Sequence, residues 1–528
     1  MIRRAAFGAG LVFLTAAALA LRVPDLGSRP FHGDEAVHAF KFRDVWEHGV
    51  YRYDPNEYHG PTLYYAALPT VALSGRHSFA ETTEADYRLA TALIGAALIP
   101  LIGLLRDGLG RRGALWAALF AAISPAFAFY SRYYIQEMLL VFFSVAFLVC
   151  GWRYTRSRKI PWLLAAGVAG GLMVATKETA VLAFISAAVA AFPSIVRGRA
   201  AGVGEVGAAK QHGLRRYAAA VILALATAYL FLSGFMSNPS GPIDYLHSYT
   251  PWLGRSGVES LHGHSWSYYL SLLTWTHRAK GPVWSEGLIL GLALVGIIAA
   301  ITRQGQAQDR GDSGFVRFVA TYSVVQLLVY SVIPYKTPWL ALNFLAGFAL
   351  MAGFGAVTVV ELVRPIWAQA LLALAILAGS AQLGFQANRT CFEYAADYRN
   401  PYVYAHPLQE VVELGKRVDE LAEASADGRS MVVKVISKDG YYWPLPWYLR
   451  RLDNVGYWTG SVPGDPAAPV VIASPEFDEE LTRRLDKSHL MTGFHALRPG
   501  VLFQLWVRMD VWERYLKTRP KPPAVADG

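Results

Sequence analysis

Apolar runs of roughly twenty residues, long enough to cross a bilayer as helices, recur from residue 5 to residue 385 and then stop. They predict about eleven membrane helices, at 5–23, 88–105, 113–130, 135–153, 161–176, 179–196, 217–235, 285–301, 315–333, 337–358 and 366–385. The fifth and sixth are short, with Thr176-Lys177-Glu178 as the turn between them. Met1-Ile2-Arg3-Arg4 and the first run resemble a signal peptide, and Ala18-Leu19-Ala20 offers a weak cleavage pattern. Ten further spans favour a retained first helix.

Beyond the last run the periodicity changes. Leu408–Ala422 reads as an amphipathic helix, Met431–Ile436 as a strand, Pro469–Ile472 as a second strand, Phe477–Leu485 as a helix and Val501–Val507 as a third strand. The fold class expected is mainly α: a polytopic helical membrane domain (1–387) followed by a C-terminal soluble α/β domain (388–528). A large loop at 24–87 follows the first span, and its aromatic-rich pieces Ala36–Trp46 and Thr62–Leu73 are expected to lie along the membrane interface as helices.

Composition sharpens this picture. Hydrophobic content of 54% excludes a soluble globular chain. The net charge of +10 does not indicate nucleic acid, because the basic residues fall in short clusters in alternate loops. Arg3-Arg4, Arg106/Arg111/Arg112, Arg153/Arg156/Arg158/Lys159, Arg197/Arg199/Lys210/Arg215/Arg216, Arg303/Arg310/Arg317 and Arg364 share one side if the spans alternate. The positive-inside rule makes that side the cytoplasm. The expected location is the inner (plasma) membrane, with a cytoplasmic N-terminus and an extracytoplasmic, periplasmic C-terminal domain. Cys150 and Cys391 are the two cysteines, one inside a span and one beyond the last, which excludes a disulfide framework.

Four polar features share the outer face: Asp34-Glu35 flanked by His32 and His38, Glu137 at the head of the fourth span, Lys177-Glu178, and Lys336 in Pro334-Tyr335-Lys336-Thr337-Pro338-Trp339. Charges so near hydrocarbon pair with one another or with a ligand. A carboxylate there can take the proton of an acceptor hydroxyl or amine as it attacks an anomeric carbon. Arg132, Lys177 and Lys336 can hold a lipid phosphate as it leaves. Asp34 is the preferred base. Glu35 and Glu137 orient the acceptor or shape the acidic site, and Glu178, His59 and Tyr133 are further substrate-binding candidates. Each has a plainer alternative. One acid of the 34–35 pair can cap the helix that follows, Glu137 can form a structural salt bridge to Arg132 or Lys177, and the lysines can snorkel. His59-Gly60-Pro61 can simply shape a turn, Tyr133 can belong to an aromatic belt, and Trp443–Tyr448 can be a core or docking segment of the tail. His32 and His38 beside the acids are minority candidates for a divalent metal.

Together, Phe31–His38, Tyr58-His59-Gly60-Pro61 through Tyr64-Tyr65, Arg132–Glu137, Thr176-Lys177-Glu178, Tyr335–Trp339 and Tyr442–Arg450 resemble the GT-C glycosyltransferases of the family 39 kind. These are the dolichyl-phosphate-mannose protein mannosyltransferases and aminoarabinose transferases, and the similarity is greatest to the flippase-associated membrane proteins of glycosylation loci. The resemblance places the family's first-loop acid on Asp34 or Glu35 and its second on Glu137. It implies sugar transfer from a polyprenyl-phosphate donor to a protein, lipid or glycan acceptor and, in family 39, without a metal cofactor; one base and one departing phosphate suffice, so inversion at the anomeric carbon is expected. The alternatives are a lipid-linked sugar flippase, which calls for polar residues through the membrane midplane, and a non-enzymatic accessory protein of glycan assembly.

Overall fold

The computed structural model describes residues 2–56, 59–200, 207–257, 262–302 and 311–519. Tyr58 of the His-Gly-Pro motif and the basic residues Arg303 and Arg310 lie outside them. The chain forms two compact units: Met1–Leu26, Lys41–Arg76 and Ala85–Tyr404 make up one, and Gly27–Phe40, His77–Glu84 and Ala405–Gly528 the other. This division differs from a break after residue 387. Two pieces of the first loop join the tail, and residues 388–404 join the helices.

In the first unit each of the eleven expected segments is helical. Among the described residues, seven helices are long and apolar enough to cross a membrane, and a bent pair makes an eighth. The other three, Ile160–Val174, the apolar stretch Ala180–Pro193 and Gly287–Thr302, are shorter. At 1.5 Å per residue, a helix of about 15 residues spans roughly 22 Å, short of a hydrocarbon core of about 30 Å. The centre of the unit is Ala341–Leu362, buried through most of its length. It approaches Gly287–Thr302 so closely that a Cβ on Gly355 would lie 1.8 Å from the Leu292 carbonyl oxygen, the small-residue packing expected of membrane helices.

The bent pair is Arg111–Ile123 and Pro125–Ser131, which meet at 57°. Pro125 has no N–H and cannot continue a helix, so Ser124 caps the second piece by accepting from Phe127 N–H at 3.3 Å. The broken ends find buried partners. Arg22 donates to the carbonyls of Ala121 and Ala122 at 2.9 and 2.7 Å. The Glu286 carboxyl accepts from Ala126 N–H at 2.9 Å and from the Ser124 hydroxyl at 2.7 Å. The Tyr402 hydroxyl adds a third bond to the same carboxyl at 3.4 Å. Glu286→Ala is expected to destabilise at every pH, because it strands the Ala126 N–H.

The second unit is built on a five-stranded sheet. With β1 (Thr276–His277) and β2 (Val283–Trp284) forming a small ladder in the first unit, the sheet consists of β3 (Val432–Ser437), β4 (Asn454–Thr459), β5 (Val470–Ala473), β6 (His489–Arg498) and β7 (Val501–Arg508), in the order β4-β3-β5-β7-β6. β3 runs parallel to both its neighbours, while β7 is antiparallel to β5 and β6. β5 is an uninterrupted apolar run, and β3 and β7 carry apolar runs broken by Lys434 and Gln504. Helices Glu410–Ala424 and Asp478–Leu485 fall where the amphipathic patterns place them.

Candidate active site

Helix Gly33–His48 begins within the second unit. The Ala36 N–H bonds to His32 O at 3.0 Å, which makes His32 the cap. Glu35, three residues on, turns its carboxylate back to accept the His32 N–H at 2.9 Å, the return half of a capping box. Glu35 is fully buried, with Arg29 at 3.4 Å. Asp34 shares neither duty. Its side chain is 52% exposed, 3.8 Å from His32 Nδ1, and that nitrogen accepts the Asp34 backbone N–H at 3.1 Å. An accepting Nδ1 puts the proton of a neutral His32 on Nε2.

The Trp/Pro segment of the tail holds this acid-bearing turn. Phe31 packs on Trp447 with ring centroids 4.7 Å apart, and its N–H bonds to the Tyr448 hydroxyl at 2.9 Å. The His32 ring stacks on His406 at 5.9 Å. The second first-loop piece joins the same core: Phe79 lies edge-on to Trp447, whose indole N–H donates to Glu84 at 2.9 Å. Pro444–Tyr448 is thus buried in the core of this unit, with Trp443 half-buried beside it.

The first unit holds the remaining candidates. Glu137 and Lys177 are both buried and form a direct ion pair. Lys336 is also buried, on a strand-like bridge between Gly263 and Tyr335. Its ammonium donates to the carbonyls of Ile333 and His264, the latter at 3.1 Å. An ammonium has three donors, so one N–H is left over from these two carbonyls. Burial lowers its pKa.

Arg132, expected on a lipid phosphate, has other work. Its guanidinium donates to the carbonyls of Arg22 and Asp25 at 2.9 and 3.1 Å and to that of Pro24, and it lies 4.6 Å from the Phe392 ring centroid. The end of helix Ile2–Arg22 leaves carbonyls that need donors, and Arg132 supplies them. Tyr133, expected in an interfacial belt, is buried between Phe129 and Tyr130.

Glu178 and His59 close the base of the first loop. The Glu178 carboxylate accepts the His59 N–H at 2.9 Å, pairs with His59 Nδ1 at 3.0 Å and accepts from the Tyr53 hydroxyl. Burial alone would raise its pKa, but the bonds from His59 and Tyr53 outweigh it and hold Glu178 down to about 2. Gly60 lies against the turn at Thr176, its N–H on Thr176 O at 3.0 Å. A Cβ there would fall 1.9 Å from Ala175 O. Gly60→Ala is therefore expected to cost about 1–3 kcal/mol and to free the 59–64 segment, seen as a lower melting temperature and faster proteolysis there.

Sequence reasoning passed over Arg22, Glu286 and Tyr53. The first reads as a snorkelling residue at a helix end, and the partners of all three lie more than 90 residues away. Among the described residues, no group of three or more His, Cys, Asp and Glu side chains is placed to hold a metal ion. His32 spends Nδ1 on a backbone N–H, and His38 is buried.

The family model for dolichyl-phosphate-mannose-protein mannosyltransferases matches residues 64–237. No curated protein matches the sequence significantly. The fold is mainly helical with a small sheet-containing C-terminal region. Among solved structures the chain is similar to ArnT from Cupriavidus metallidurans. It matches the crystal structure of the apo state with a TM-score of 0.64 at 15% identity, over 95% of this chain and 98% of that one. It also matches the structure bound to undecaprenyl phosphate, with a TM-score of 0.61 at 15% identity, over 94% and 97%.

Proposed function

We propose that the protein is a membrane glycosyltransferase that moves a sugar from a polyprenyl-phosphate donor to a protein, lipid or glycan acceptor on the extracytoplasmic side, with inversion. The observation that carries this reading is the division of labour at the first-loop acids: Glu35 takes the cap and the Arg29 pair, leaving Asp34 half-exposed. The fold and its similarity to a protein crystallised with undecaprenyl phosphate support a polyprenyl donor. The clustered arginines and lysines of alternate loops support an N-terminus in the cytoplasm and a tail domain outside it.

Asp34 acts as general base. The acceptor oxygen or nitrogen forms its bond to the anomeric carbon as Asp34 takes the acceptor's proton. The bond from that carbon to the phosphate oxygen breaks, and the electron pair leaves with the polyprenyl phosphate. Within the first unit, Lys336 keeps one N–H beyond its two carbonyls that suits an anionic phosphate, Glu137 neutralises Lys177 and fixes its ammonium, and Glu178 and His59 anchor the base of the first loop.

Lipid-linked sugars in cells carrying wild type or Asp34→Asn test the reading. Donor accumulating in the outer leaflet of the variant, with surface glycan lost, is the expected result. Donor trapped in the inner leaflet would establish a flippase instead, and unchanged glycan an accessory protein.

A further inference from the structure

A cavity of about 850 Å³ lies among helices Glu137–Ser157, Ile160–Val174, Ala180–Ala200, Gly207–Leu232 and Ser313–Val332 of the first unit. It is a slot rather than a sphere: its wall follows one helix from Leu163 to Val174, roughly 16 Å at 1.5 Å per residue. Its lining is hydrocarbon and aromatic ring almost throughout, and polarity gathers at one end, around Trp152, Tyr154 and Asp312.

That end carries a fan of arginines. Arg156 lies 3.8 Å from Asp312 and 5.7 Å from the Trp152 ring centroid. Arg158 lies 6.0 Å from the Tyr154 ring, and Arg153 bonds to Asp107 at 2.6 Å. Three cations against two carboxylates leave the rim positive. Two donors here, Trp152 Nε1–H and Arg153 Nε–H, are shielded from solvent and have no acceptor among the described residues. Shielded donors call for acceptors, and a hydrocarbon slot under a cationic rim calls for an amphiphile with an anionic head.

We propose that the slot holds an anionic phospholipid of the leaflet at its arginine-rich end. An acyl chain fills the slot, a glycerol ester carbonyl accepts from Trp152, and the phosphate lies among Arg153, Arg156 and Arg158. This site is separate from the proposed sugar transfer and does not depend on it.

The test uses the full chain in detergent, incubated with phosphatidylglycerol or phosphatidylcholine and examined by native mass spectrometry. One retained phosphatidylglycerol, favoured about tenfold over phosphatidylcholine, is the expected result. A Cβ built on Gly151, in the slot wall, meets nothing within 4 Å, so Gly151→Phe can plug the slot. It is expected to lower retention about tenfold at unchanged melting temperature, and Arg156→Gln to weaken the headgroup preference. Equal retention of both lipids, full retention by Gly151→Phe, or one-for-one displacement by polyprenyl phosphate would overturn the proposal. Should Gly151→Phe fold poorly, quenching by phosphatidylglycerol with brominated acyl chains reports on the native slot. The quenching lost in Trp152→Phe is the expected signal, and no difference between the two proteins would be fatal to the site.

Discussion

Asp34→Asn is expected to slow sugar transfer by about 10²–10⁴-fold, the usual contribution of a positioned general base, while leaving the melting temperature nearly unchanged. The structural reason is the exposure of the carboxylate: it caps nothing, and its contact with His32 is a loose 3.8 Å. Asn keeps the size and the backbone N–H to His32 while losing the basicity. Glu35→Gln is expected to do the opposite, lowering stability because the buried pair with Arg29 is broken, with activity falling only as folded protein is lost. Transfer rates and melting curves measured on the same preparations separate the two acids. Equal, stability-linked losses in both variants would mean that Asp34 is structural too.

The second large effect concerns Glu137 and Lys177. Both side chains are nearly inaccessible, at 1% and 7% exposure. Removing one partner of a buried pair leaves an uncompensated charge and costs about 3–5 kcal/mol. Lys177→Met should therefore unfold at markedly lower temperature or denaturant concentration than wild type. The double variant Lys177→Met/Glu137→Met should recover most of that loss, since two apolar side chains can replace a buried pair at little net cost. Single variants within about 0.5 kcal/mol of wild type would show that the pair is hydrated and exchangeable.

Much of the helical unit was legible because membrane helices declare themselves through uninterrupted apolar length. The bend at Ser124-Pro125 was written there as well, as a cap residue followed by proline at the first helical position, but hydropathy runs straight through it and hid the break. In the tail, β3, β5 and β7 carry apolar runs. β4 and β6 do not: Gly456 interrupts one, and the other is polar and shifts register between Met491 and Gly493.

Long-range partnerships were the illegible part. Phe31 and Phe79 reach Trp447 across some 400 and 370 residues of sequence, so no local pattern assigns the acid-bearing turn to the tail's unit. The acceptors of Arg132 are backbone carbonyls more than 100 residues earlier, and carbonyls leave no trace in residue identity. The capping role of Glu35, by contrast, follows from spacing. Three residues separate the cap from the acid that folds back on it, and Glu35 stands at that distance from His32.

The most direct test reconstitutes the protein in liposomes, presents a polyprenyl-phosphate sugar and an acceptor at the face that bears Asp34, and follows release of polyprenyl phosphate. Wild type should release one polyprenyl phosphate for each sugar transferred, with the anomeric configuration inverted, while Asp34→Asn releases almost none. Equal release by both proteins, or donor crossing the bilayer without release, would contradict the account.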